Sequence, residues 1–167
     1  MSTANAIIEK LGLQPHPEEG GYFLETYRST EELPAESLPV RYVDNRVHST
    51  CIYYLITPTS WSLLHRLQTD EIFHFYCGDA VELFRIFPEG EGESVVLGAD
   101  VLGGEQPQVI VRRNEWQALR LVEGGEWALM GTTVAPGFEF ADYETGDREE
   151  LLRDYPHLRE PILYFTR

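Results

Sequence analysis

The chain has 167 residues, of which 43% are hydrophobic, 25% charged and 12% aromatic, a composition that fits one globular domain over 1–167 and excludes a disordered or low-complexity chain. Thirteen Lys and Arg against 28 Asp and Glu leave a net charge of -15, which repels phosphate backbones and anionic membrane surfaces and argues against a nucleic-acid partner. Two cysteines are too few for a disulfide framework, and no apolar run approaches the ~20 residues that span a bilayer, so a cytoplasmic protein without a membrane partner is expected.

In chain order, the first dozen residues predict a helix: Ser2 or Thr3 can cap it, Ile7, Ile8 and Leu11 share a face, and Gly12 stops it. From Gly21 onward the pattern predicts strands over 22–28, 47–56, 61–67, 71–77, 81–87, 94–97, 109–112, 117–122 and 127–134, separated by Gly, Pro and Asn turn signals. Short strands at this spacing imply an all-β sandwich or barrel. The segment 29–39 is acidic, contains prolines, has no period and reads as a loop or lid. Near the end, Asp147 followed by Glu150 predicts a capped helix carrying Leu151 and Leu152 and limited by Pro156, and 162–165 reads as an edge strand.

Period-two alternation in 61–67 puts Trp61, Leu63, His65 and Leu67 on one face, so His65 points into apolar surroundings. In 71–77, Glu71 shares a face with Phe73, Phe75 and Cys77, while Ile72, His74 and Tyr76 occupy the other. An ionised carboxylate on a buried face is costly unless it is paired, ligated or protonated. Glu71 therefore needs either a functional reason or a partner such as Arg112 or Arg113. Gln117 alternates inward with Leu119 and Leu121 and can complete a polar cluster. Tyr53 and Tyr143 are candidate acids or pocket liners. His16, His48 and His157 fall in loops or strand starts, where a solvated role is expected. No nucleophile elbow, phosphate loop or dinucleotide fingerprint is present.

The stretch from His65 to Glu71, followed by Gly78, resembles the first cupin motif, in which two histidines one residue apart precede a glutamate and then a glycine. His65, Glu71 and Gly78 match, while Leu67 stands at the second histidine. The second motif is echoed only by Arg112, Asn114 and Gln117, so its histidine position holds Gln117. The segments PEEGGYFLETYRS from Pro17, TDEIFHFYCGD from Thr69 and TVAPGFEFADY from Thr133 are similar to the uncharacterised single-domain branch known as the fifth cupin family. The resemblance implies a double-stranded β-helix or jelly-roll barrel with a short N-terminal and a C-terminal helix, commonly dimeric, with a pocket in the barrel.

Cupins hold metals with three histidines and a glutamate. With Leu67 and Gln117 at two of those positions, no metal or other cofactor is expected. The leading expectation is a homodimer that binds a small carbohydrate-like or carboxylated molecule as a metal-independent isomerase or epimerase-like enzyme. His65 would be its base, Glu71 its acid or orienting group, and Tyr53, Phe73, Gln117 and Tyr143 its substrate contacts. A non-catalytic metabolite-binding module is the alternative, and a metal-dependent oxygenase the third reading.

Overall fold

The structure is a computed structural model that describes residues 2–167. Helix α1 (Thr3–Leu11) starts where the Ser2 side chain accepts the Asn5 N–H and ends at Gly12, whose φ of 69° allows the left-handed cap. The strands that follow are β1 (Gln14–Pro15), β2 (Tyr22–Arg28), β3 (Glu32–Leu33), β4 (Arg46–Val47), β5 (Thr50–Ile56), β6 (Ser62–Leu67) and β7 (Glu71–Gly78). They continue as β8 (Val81–Ile86), β9 (Gly92–Leu97), β10 (Gln108–Val111), β11 (Trp116–Leu121), β12 (Ala128–Val134) and β13 (Tyr143–Thr145), before α2 (Arg148–Asp154) and α3 (Arg159–Phe165).

A six-stranded sheet, ordered β1-β2-β5-β12-β7-β10, faces a five-stranded sheet, ordered β13-β6-β11-β8-β9, and the pairs within each are antiparallel. This is the expected all-β jelly roll, built as two facing open sheets rather than one hydrogen-bonded barrel. Alternation along the strands fills one end of the space between the sheets with Tyr54, Ile56, Phe73, Leu83, Leu119 and Met130, all fully or almost fully buried. Toward the other end the same inward rows turn polar: β5 offers Thr50, β6 His65, β7 Glu71 and β12 Thr132, and here the core gives way to a cavity.

The outer surfaces are treated differently. Leu64, Phe84, Trp116 and Ala118 on the five-stranded sheet are covered by Leu151 of α2 and by Ile162 and Phe165 of α3. The 162–165 segment is thus helix, not an edge strand. Ile162 and Phe165 are three residues apart, and on a helix that spacing brings both onto one face, with Phe165 stacked on Phe84 at 5.9 Å. On the six-stranded sheet, α1 packs Ile7, Ile8 and Leu11 against Leu55 and Leu129.

The 29–39 segment is also more ordered than expected. Its residues Glu32–Leu33 pair with β4, and Tyr42 and Arg46 from the same excursion are buried. The strand anticipated over 47–56 is accordingly two strands, β4 and β5, broken at His48 and Ser49. Among the described residues no helix is long and apolar enough to cross a membrane.

Candidate functional site

The cavity, about 110 Å³, is built from β2, β5, β6, β7 and β12, the chain ahead of β2, the 135–142 connection and Tyr143 at the start of β13. The Pro17 to Gly21 segment places its most consequential side chain. The Glu19 carbonyl accepts the Leu63 N–H at 2.8 Å and the Tyr54 hydroxyl donates to the Gly20 carbonyl at 2.8 Å, which pins this loop onto β6 and β5. Only glycine suits the next two positions. Gly20 and Gly21 have φ of 96° and 71°, and an added Cβ would lie 2.4 Å from the Trp61 carbonyl oxygen and 2.6 Å from the Tyr54 hydroxyl, respectively. The pinned loop turns Glu19 inward, where it is 9% exposed.

His65, 2% exposed, meets that carboxylate. Its Nδ1 donates to the Leu63 carbonyl at 2.8 Å, which fixes the tautomer and leaves Nε2 facing Glu19 Oε2 at 3.1 Å and the Gln117 amide at 3.2 Å. A carboxyl oxygen and an imidazole nitrogen at that distance share one proton. Burial lowers the pKa of His65, partly offset by the nearby Glu71 charge, and raises that of Glu19. Both directions favour the proton on Glu19.

Glu71, 7% exposed, accepts from the Gln117 amide at 2.6 Å, so Gln117 bridges Glu71 and His65. Burial raises the Glu71 pKa, the His65 charge lowers it and the Glu19 charge raises it further. Arg112 and Arg113, the partners considered from sequence, bind Asp70 instead, through the guanidinium and the backbone N–H, each at 2.8 Å. The buried glutamate has no arginine partner among the described residues.

Tyr143 stacks on His65, with ring centroids 5.1 Å apart at an angle of 18°, and its buried hydroxyl finds no hydrogen-bond partner among the described residues. Burial and the Glu19 charge push its pKa up, so it holds its proton. Its position depends on the neighbouring Asp142, which receives Arg46 through both carboxylate oxygens at 2.7 and 2.9 Å in a buried pair.

His16 is where the structure departs most from expectation. It lines the cavity rather than standing in solvent, with its ring 4.9 Å from Phe23 and 6.2 Å from Tyr143. Its Nδ1 accepts the backbone N–H groups of Glu18 and Glu19 at 3.3 and 3.1 Å, so a neutral ring carries its proton on Nε2, the tautomer opposite to that of His65. Burial lowers its pKa as well. His48 and His157 remain exposed.

The sequence-derived residues therefore divide. His65, Glu71 and Tyr143 meet in the cavity, and Gln117, 1% exposed, stands directly behind the first two. Phe73 shares the inward face but belongs to the apolar core rather than the cavity wall. Tyr53 lies on the opposite surface of its sheet, packed near α1 and edge-on to Tyr76 at 6.0 Å. Glu19 is absent from the sequence-derived set, and His16, expected in solvent, joins it in the cavity wall. Their signal was a glutamate directly ahead of two glycines, a turn that holds its neighbour against other backbone.

The donor set does not fit a cupin metal. Leu67 lines the cavity where a histidine would coordinate, and Gln117 spends its amide on Glu71 and His65. Among the described residues no three His, Cys, Asp or Glu side chains converge as metal ligands.

Fold and site together define a jelly roll of the cupin type whose pocket carries titratable groups in place of a complete metal donor set. The chain belongs to the family described as "Cupin superfamily (DUF985)", whose model matches residues 5–146. It is 32% identical over 144 residues to the uncharacterized protein YML079W of Saccharomyces cerevisiae, covering 81% of this chain and 71% of that one. A hypothetical protein from Leishmania major shares 31% identity at a TM-score of 0.89, with 99% of each chain covered. Protein SO0799 from Shewanella oneidensis shares 32% identity at a TM-score of 0.88, over 100% of this chain and 99% of that one. Oxalate decarboxylase from Bacillus subtilis, at 14% identity and a TM-score of 0.53 over 92% of this chain and 37% of that one, shares the fold alone.

Proposed function

We propose that this protein binds a small polar, carbohydrate-like molecule in the cavity and moves a proton on it without a metal, as an isomerase or epimerase does. The observation that carries the reading is the Glu19–His65 contact, in which one carboxyl oxygen faces a ring nitrogen whose partner nitrogen is tied to backbone. A proton removed from a carbon beside a carbonyl arrives at Oε1, the Glu19 oxygen that does not face His65. The shared proton then passes from Oε2 to His65 Nε2. The imidazolium so formed is balanced by Glu71, the charge of which favours the protonated ring. Tyr143, a phenol that keeps its proton and has no protein partner for it, donates to the substrate oxygen on which negative charge develops. Gln117 holds Glu71 and His65 in register.

The working unit is proposed to be a homodimer in the cytoplasm. Register across β2, β5, β12, β7 and β10 lines up Tyr27, Cys51, Thr133, Ile72 and Ile110 on the outer face of the six-stranded sheet, where Tyr27 is 53% and Ile110 38% exposed. A second copy placed over that row would cover it.

A thermal-shift screen of small metabolites, run with and without divalent metals, tests the reading, since a ligand that binds only the folded chain raises its unfolding midpoint. Metal-independent hits that the protein converts to an isomer are the expected result. Hits that require metal, or that survive prolonged incubation unchanged, would contradict it, the latter in favour of a metabolite-binding module.

A further inference from the structure

We propose that the ligand of this cavity is a cation: a small hydroxylated molecule carrying a protonated amine. The inference rests on the reading above only in taking this cavity as the ligand site.

The charges of the cavity wall do not cancel. Four glutamates line it, Glu19, Glu25, Glu71 and Glu139, against one arginine, Arg28. Arg28 is already engaged. It contacts Glu25 through two nitrogens at 3.0 Å each, Glu139 at 2.7 Å and the Phe138 carbonyl at 3.1 Å. That leaves Glu19 and Glu71 facing the interior beside neutral groups, Glu19 near the His65 and His16 rings and Glu71 near the Gln117 amide and the Thr132 hydroxyl, with no arginine or lysine paired to either among the described residues. Arg112 gives its guanidinium to Asp70, while Arg113 gives Asp70 only its backbone N–H, is exposed, and does not line the cavity.

A buried carboxylate without a counter-ion is an expense to the empty protein that stability alone does not explain. An ammonium group entering the cavity supplies the missing charge and lets both carboxylates ionise. A ligand carboxylate there would meet the Glu71 carboxylate and the acceptor oxygens of Glu19 in a desolvated space, with only neutral side chains to donate to it. The remaining walls agree with this charge preference. The aromatic side chains of Phe23, Phe138, Phe140 and Tyr143 line the same space, and aromatic rings attract cations over their faces. The net charge of -15 raises the local concentration of cations around the molecule as a whole.

The test is a binding screen of the full-length chain at pH 7.5 against scaffolds each supplied in three forms, with one substituent as amine, hydroxyl or carboxylate: glucosamine, glucose and glucuronate, and the corresponding sets on shorter polyols. Among molecules that raise the unfolding midpoint, amines are expected to bind about tenfold or more tightly than their carboxylate counterparts. Glu71→Gln should narrow that ratio, and Glu19→Gln gives a second chance to see it narrow should the first variant fold poorly. Carboxylates that bind as well as amines, or a set of binders containing no amine, would overturn the proposal. Failure of the two readings can be told apart. Anionic binders that nevertheless isomerise would sink the charge preference and spare the proton-transfer reading, whereas amines that bind and stay unchanged would do the reverse.

Discussion

Glu19 Oε2 stands 3.1 Å from His65 Nε2, while the opposite nitrogen of the same ring is tied to the Leu63 carbonyl at 2.8 Å. The ring can neither flip nor change tautomer without breaking one of these contacts. The two residues therefore act as one proton-holding unit, and the behaviour of Glu71 and Tyr143 follows from what that unit carries.

The variant Glu71→Gln should be at least as stable as the wild type at pH 7.5 while losing turnover. Its sign follows from the raised pKa of Glu71. The folded state holds this proton more tightly than the unfolded chain, so the stabilising contribution is complete below the ordinary value of 4.5 and is lost as pH rises through the folded value. Glutamine removes that penalty and still accepts the Gln117 amide. The advantage of the variant should be larger at pH 7.5 than at pH 4.5 in chemical denaturation. A strongly destabilised variant with normal ligand binding would show that Glu71 serves the fold.

Asp142→Ala leaves the Arg46 guanidinium, 3% exposed, without its carboxylate. Loss of one member of a buried pair should lower unfolding free energy by about 3 kcal/mol or more. Because Asp142 adjoins Tyr143, ligand affinity should fall with it. Arg46→Met together with Asp142→Leu should recover much of the stability without restoring affinity, since an apolar pair removes the uncompensated charge but not the displacement of the loop.

Much of the fold was legible because strand alternation and turn residues are local signals. The inward rows of β6, β11 and the first half of β7 follow from period two and bring His65, Glu71 and Gln117 together from three separate strands, whereas Cys77, expected on the face of Glu71, is exposed because a bulge shifts the β7–β12 register between Phe75 and Cys77. Alternation assigns a face but not a depth, which is why Phe73 was grouped with the site although it lies in the core. Tyr53 could not be placed by its residue type, since its face depends on the pairing of β5 with β2 and β12. His16 and Glu19 lie in a loop, where no period exists, and their inward turn is imposed by hydrogen bonds to β5 and β6. The final helix resembles a strand in sequence because a short apolar run fits either period.

Metal content offers a separate check. Protein purified without chelator should carry no stoichiometric transition metal, because Leu67 and Gln117 stand where ligands are needed. The double variant Leu67→His, Gln117→His should gain about one divalent ion per chain, with three histidines and Glu71 then facing one another. One tightly held metal per wild-type chain in elemental analysis would contradict this and favour the oxygenase reading.

Sedimentation should report twice the chain mass of 19.2 kDa. Ile110→Glu, a charge placed at the edge of the outer apolar row, should shift the protein toward a monomer without changing its fold. A wild-type monomer at micromolar concentration would remove the dimer proposal.

The most direct measurement is uptake of solvent deuterium into a bound ligand, followed by proton NMR in heavy water. Wild-type protein should wash the hydrogen out at a single carbon beside the carbonyl. The rate should be level near pH 7.5 and fall on the acid side around a pKa below the ordinary histidine value of 6.5, since burial favours neutral His65. Glu19→Gln should bind the ligand and abolish the exchange. A ligand that saturates the wild-type cavity and keeps every carbon-bound hydrogen would contradict proton transfer at the Glu19–His65 pair.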